Sequence, residues 1–196
     1  MKTESTTQSN RQHILDVGYQ LIAAKGFSCV GLAQLLQASA VPKGSFYHYF
    51  KSKEQFGEAL IQGYFEGYKS DLDTLFGNTS LNGYDRLMTY WQRWLTAQIE
   101  GCIDQKCLVV KLSAEVADLS EAMRLALLNG SASVIHRLTV CIAVGVEDGS
   151  IAKRDPQSTA EMLYHMWLGA SLMNKLGHPS DALNRAIETT KLVLRP

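Results

Sequence analysis

Val41-Pro42-Lys43-Gly44-Ser45-Phe46-Tyr47-His48-Tyr49-Phe50-Lys51-Ser52-Lys53 is short, basic and rich in aromatics, and its reading decides the fold. Pro42 suits the first position of a helix, where its missing N–H costs nothing. Gly44 and Ser45 stand beside Lys43, and Tyr47, His48, Tyr49, Lys51 and Lys53 crowd the following turn. A helix that leads with one cation and small side chains, then continues with hydroxyls and cations, suits the floor and phosphate walls of a DNA groove. Upstream, Ser39-Ala40-Val41 reads as a tight turn from a short helix over 31–38 with Leu32, Leu35 and Leu36 facing inward. Two short helices joined this way make a helix-turn-helix. A buttressing helix is expected over 9–25, opened by a Ser9/Gln12 capping box, carrying the stripe Ile14, Leu15, Gly18, Leu21, Ile22, and stopped at Gly26.

Downstream, Ser52 and Gln55 form a second capping box that opens a long helix to about 76, with Phe56, Leu60, Gly63, Tyr64 and Gly67 on one face. Further helices are expected near 84–100, 105–116, 120–147, 158–176 and 181–194, with Asp155-Pro156 as a break and Ser158/Glu161 as the next cap. Residues 139–146 alternate Val140, Ile142, Val144, Val146, which also fits a strand. Their flanks continue a helical pattern and no partner strand lies nearby, so the stretch is assigned to a helix. The expected fold is all-α: a three-helix N-terminal head with a helix-turn-helix, and a C-terminal helical bundle for sensing and dimerisation. The expected boundaries are a disordered tail over 1–8, a DNA-binding domain over 9–54 with the helix from 52 connecting, and an effector and dimerisation domain over 55–196.

The 196 residues suit one medium domain, or one small and one larger, and 46% apolar content supports a sizeable core. No apolar run is read as long enough to cross a bilayer, and the polar first ten residues resemble no secretory signal, so a cytoplasmic location and no membrane partner are expected. Cys29, Cys102, Cys107 and Cys141 are too few and too irregular for a disulfide framework, and none has zinc spacing. The net charge of zero conceals a segregation: through Lys53 the balance is +4, which leaves −4 for the rest. A basic head on an acidic body steers the head toward phosphate. A nucleoid protein would be basic throughout. An enzyme is also disfavoured, because there is no nucleotide-binding glycine loop, no His and carboxylate at activating spacing around a nucleophile, and hence no catalytic residue, metal site or cofactor to name.

Gly26-Phe27, residues 32–38 and residues 41–54 together resemble the DNA-binding head of the TetR family of repressors, with the match dense over 9–65. Gly101-Cys102, residues 107–120 and residues 167–175 are similar to an electrophile-sensing branch of that family. The resemblance implies a homodimer joined through the last two long helices and released from a palindromic double-stranded operator by an inducer. Independently, 158–176 is apolar nearly all round, with Gly169 and Ala170 permitting close helix approach, which demands burial on more than one side. A monomer's central core helix is the alternative. By resemblance Lys43, Gly44 and Ser45 lie deepest in the major groove, Tyr47, Tyr49 and Lys53 hold the phosphate backbone, and His48 does either. Phe46 and Phe50 are expected in the core. Ala40 departs from the family's usual turn Gly and, if left-handed, costs on the order of 1 kcal/mol. Val30 stands where a capping Thr is common, so Gly31 is the expected cap.

Two inducer chemistries are open. Cys107 is expected at a helix start beside Lys106 and one turn before Lys111, surroundings that favour thiolate. The resemblance makes Cys107 the sensor and Lys175 its neighbouring amine. The alternative is an inert packed thiol, which is how Cys141 and Cys29 are read; Cys102 falls in a loop. The second chemistry is a reversible apolar ligand in a pocket lined by Met88, Tyr90, Trp91, Trp94, Met123, Leu127, His165 and Met166, residues that plain core packing would equally explain.

Overall fold

A left-handed glycine and a left-handed alanine divide the N-terminal third of the chain. In the computed structural model, which describes residues 2–100, 108–177 and 181–196, α1 (Lys2–Lys25) stops at Gly26 with φ of 91°. Next, α2 (Leu32–Ser39) stops at Ala40 with φ of 53°, and α3 (Lys43–Tyr49) follows after two residues. The chain continues as α4 (Lys53–Phe76), α5 (Gly83–Glu100), α6 (Leu108–Val116), α7 (Glu121–Glu147), α8 (Pro156–Leu176) and α9 (Asp181–Leu194), and all regular structure among the described residues is helical. The alternating stretch over 139–146 lies inside α7, as assigned.

Several local expectations shift. The first helix begins at Lys2, where a tail was expected, because no Gly or Pro before residue 9 interrupts propagation; Ser9 therefore falls inside the helix and not at its start. Pro42 precedes α3 as its cap. The second capping box forms one residue offset: the Gln55 amide donates to Ser52 Oγ at 3.1 Å, and Gln55 Oε1 accepts from the Lys51 amide at 2.7 Å. On α8 the cap is Asp155, whose carboxylate accepts from the Ser158 amide at 2.7 Å with Pro156 in the first turn, so Ser158 is a recipient. On α4 the buried face is Phe56, Gly57, Leu60, Ile61 and Phe65, while Gly63 and Gly67 face open space. By length and composition α7 is long and apolar enough to cross a bilayer, where the sequence reading expected no such run; 28% of that apolar stretch is buried inside the fold, and Met123, Val134, Leu138, Cys141 and Ile142 are among the buried residues of the helix.

The chain divides into two compact units, Met1–Phe65 with Lys106–Leu128, and Glu66–Gln105 with Asn129–Pro196. The first thus differs from the expected boundary at 54/55. It extends to Phe65 and takes in α6, whose Glu115 binds the α1–α2 loop, with the start of α7, whose Met123 packs at Gly57. In this unit Phe46, Phe50 and Phe56 form one buried cluster with centroids 5.3–5.8 Å apart. Gly18 permits it: a Cβ there would lie 2.3 Å from the Phe56 ring. Gly57 likewise admits Phe27 and Met123. Glu115 of α6 accepts from the amides of Phe27 (3.0 Å) and Ser28, and Lys111 donates to the Ala24 carbonyl at 3.4 Å.

The second unit is built on stacked indoles. Trp91 lies 4.9 Å from Trp167 at 13°, and Trp94 packs on both. Two of the three N–H groups are satisfied, Trp94 Nε1 by Ser171 Oγ and Trp167 Nε1 by Thr190 Oγ1, each at 2.9 Å. Trp91 Nε1 makes no hydrogen bond among the described residues. Asp148 accepts from the Gly83 amide at 2.8 Å where Gly83 meets Gly145, and Arg137 grips both carboxylate oxygens of Asp73 at 2.7 and 3.0 Å.

Candidate DNA-binding surface

Each end of α3 is fixed by a different device. Before it, Ala40 completes a two-bond closure of α2: its amide donates to Gln37 O at 3.3 Å and the Val41 amide to Leu36 O at 3.2 Å. This is the left-handed C-terminal motif that normally selects Gly, so the strain anticipated from sequence is present. His13 Nε2 meets Ser39 O at 3.0 Å and ties α1 to the same turn. Gly31 caps α2 with no side-chain hydrogen bond, as Val30 in place of Thr implied; Val30 is instead buried. After α3, the Phe50 amide donates to Phe46 O at 2.9 Å, and Phe50 itself is buried.

Anchored by Phe46 and Phe50, α3 turns its other side to solvent. Lys43, Gly44 and His48 are exposed, Ser45 and Tyr49 are partly covered, and Tyr47 is 46% exposed. Lys43 Nζ stands 5.9 Å over the Tyr47 ring, and His48 meets Tyr49 edge-on at 4.9 Å. A Cβ on Gly44 would touch nothing, so the backbone there is open to close approach. Lys53 is placed differently from the others. Its Nζ donates to Phe27 O at 2.7 Å and lies 4.3 Å from the Phe27 ring centroid; burial lowers its pKa, against the opposing pull of Glu54, Glu115 and Cys29. An ammonium has three donors, so this bond leaves others for phosphate.

The Phe27 peptide is therefore held on both sides, its N–H by Glu115 and its C=O by Lys53. Burial raises the Glu115 pKa, but the Ser28 and Phe27 amides together with Lys111 outweigh it and hold the carboxyl below its ordinary range. No pattern near the motif could have revealed Glu115, which is 88 residues from Phe27.

Cys107 and Cys102 lie outside the described residues. Lys175 is exposed in the last turn of α8. Cys141 is buried, and burial pushes its thiol up to about 12, which makes it inert at neutral pH. Cys29, expected in packing, is exposed because the Gly26–Val30 loop turns it outward. Of the candidate pocket residues, Tyr90, Trp91 and Trp94 come together in the indole layer, Met88 and Met166 are partly covered, and His165 is exposed. Met123 and Leu127 are buried and belong to the other unit. A separate open cavity of about 380 Å³ in the second unit is lined by Asp73, Phe76, Arg86, His136, Arg137 and Val140, among others.

Comparison with known proteins agrees with this architecture. Residues 14–60 match the model described as bacterial regulatory proteins, tetR family, and residues 83–190 match the Tetracyclin repressor-like C-terminal domain. The HTH-type transcriptional repressor NemR of Escherichia coli K12 is 38% identical over 96% of both chains. DhaR, an HTH-type transcriptional repressor of Mycobacterium sp. GP1, is 32% identical over 95% of this chain and 92% of its own. The crystal structure of reduced E. coli NemR superposes with a TM-score of 0.90, 39% identity and coverage of 96% and 98%. A helix-turn-helix head followed by an all-helical body defines a DNA-binding transcriptional regulator. The chain belongs to the TetR family.

Proposed function

We propose that the protein is a homodimeric, sequence-specific DNA-binding repressor whose α3 enters the major groove and which an inducer releases. The observation that carries this reading is the surface of α3: Lys43, Gly44 and Ser45 lead the helix into solvent while Phe46 and Phe50 anchor it from behind. Lys43 reads guanine O6 and N7, Ser45 a base or phosphate, Tyr47, Tyr49 and Lys53 hold the backbone, and His48 does either. A cytoplasmic location follows from binding the chromosome.

The dimer forms through α8 and α9. Met162, His165, Gly169, Leu172, Met173 and Leu176 recur at helical spacing along the exposed side of α8, with Leu176 at 74% exposure, and Leu192 on α9 is 68% exposed. An uncharged stripe of this length on one helix is what a partner helix covers. Gly169 at its middle meets nothing within the chain and allows close approach.

The inducing signal is an electrophile or oxidant that modifies Cys107, with Lys175 as the candidate amine; this rests on the likeness to NemR and on Cys107 directly preceding Leu108, the first residue of α6, in the sequence. Of that helix, Glu115 binds the head's α1–α2 loop and Lys111 the last turn of α1, giving the modification a route to the DNA surface. The reversible alternative, an apolar ligand in the second unit, is favoured by Trp91 Nε1, a buried donor without an acceptor among the described residues. DNase footprinting of the DNA upstream of its own gene, with and without a mild electrophile, separates the two. A palindromic footprint lost in wild type and kept in Cys107→Ser supports the thiol switch. A footprint indifferent to electrophile in both proteins refutes it and leaves the reversible ligand.

A further inference from the structure

Lys53 spends one donor on Phe27 O, which raises the question of which cation serves the edge where α3 gives way to α4. Two exposed cations stand there, Lys51 and Arg11. Arg11 comes from α1, forty residues upstream of Lys51, yet its guanidinium carbon lies 5.3 Å over the ring of Phe50, the residue that closes α3. The residues three and four positions away on α1 are Thr7, Gln8, Ile14 and Leu15, so the helix offers Arg11 no carboxylate partner. None of the described ion pairs includes it.

We propose that Arg11 is a phosphate-backbone contact of the operator complex, held ready by the Phe50 ring. A guanidinium is permanently charged, flat and suited to two phosphate oxygens at once. Stacking on an aromatic face restricts its rotamers before DNA arrives and leaves its edge N–H groups free. The Phe50 ring is buried and fixed by Phe46 and Phe56, so its position is set by the same cluster that sets α3. Arg11 and the recognition helix are thereby registered to each other through one ring. Because a phosphate is present at every step of the duplex, the contact adds affinity without base preference.

This rests on the reading of α3 as the groove-reading helix, and the test separates the two. The full-length wild type, Arg11→Ala, Arg11→Gln, Arg11→Lys and Lys43→Ala are titrated against a duplex selected by wild type from a random pool and against a scrambled duplex, over a salt series, with thermal melts of each protein. The expected result is that Arg11→Ala and Arg11→Gln weaken both duplexes by the same factor, several-fold, with a log K against log salt slope shallower by about one. Arg11→Lys retains the slope. Wild-type affinity and slope in Arg11→Ala and Arg11→Gln overturn the proposal, as does a loss confined to the selected duplex. A lowered melting temperature with an unchanged slope overturns it in favour of a structural role. Failure of wild type to prefer any duplex refutes the α3 reading itself.

Discussion

Residues 10–65 and residues 66–196 differ in whether their cations meet carboxylates. The four described ion pairs, Lys69–Glu66, Arg124–Glu121, Arg137–Asp73 and Lys191–Glu188, all lie in the second stretch. In the first, Arg11, Lys43 and Lys51 are exposed and in no described ion pair, Arg11 and Lys43 lie over aromatic rings, and Lys53 donates to a backbone carbonyl. A head that leaves its cations unneutralised keeps their field for a polyanion outside the molecule. The second stretch makes the opposite use of apolar surface, exposing Met173, Leu176 and Leu192 on its last helices. Under the proposed function, one region presents charge to DNA and the other presents hydrocarbon to a second copy, so the two can be attacked separately.

The largest effect is expected from breaking the second region. Met173→Glu with Leu176→Glu puts charge into the exposed stripe of α8 and should convert the dimer to monomer in light-scattering chromatography. Binding to a palindromic operator should fall by about 100-fold or more, since the two half-sites no longer act together, while the head's melting is preserved. A dimer that survives both charges would remove α8 from the interface.

The contrast was partly legible beforehand. The motif over 41–53 announced the head because its chemistry is contiguous: Pro42, Lys43, Gly44, Ser45 and the aromatic run are read within one helix. The left-handed strain at Ala40 was legible for the same reason, since it depends on one backbone position. Glu115 was invisible because it reaches Phe27 and Ser28 across most of the chain, and Lys53 was assigned to phosphate alone because its second partner is a carbonyl, which leaves no trace in sequence. Arg11 was counted only as charge, because its relation to Phe50 is made by tertiary packing. Periodicity missed the outward turn of Gly63 and Gly67 since it cannot say which of two adjacent faces of α4 the core takes.

A smaller effect tests how the head is held. Glu115→Gln keeps one acceptor but loses the charge, and Glu115→Ala leaves the part-buried Phe27 amide without its acceptor while water serves the exposed Ser28 amide, costing about 1 kcal/mol. The Glu115 pKa is lowered in the folded protein, so its contribution is present above the ordinary carboxylate range and is lost as pH falls through the folded value. Thermal melting from pH 7 down to about 3 should therefore fall less steeply in Glu115→Gln than in wild type. Parallel curves would deny the carboxylate this role. The smallest effect sharpens the turn: Ala40→Gly should raise stability by roughly 1 kcal/mol in urea unfolding, because only Gly adopts that φ without penalty. A destabilised variant would mean that the Ala40 methyl is needed for packing.

Competition binding of wild type and Lys43→Ala to a selected operator duplex and a scrambled duplex, across a salt series, tests the central claim most directly. Wild type should prefer the operator strongly, and Lys43→Ala should lose about 1–3 kcal/mol of that preference, with the loss falling on the operator and little change on scrambled DNA. Full discrimination retained by Lys43→Ala, or an equal loss on both duplexes, would contradict the reading of α3 as the helix that reads the groove.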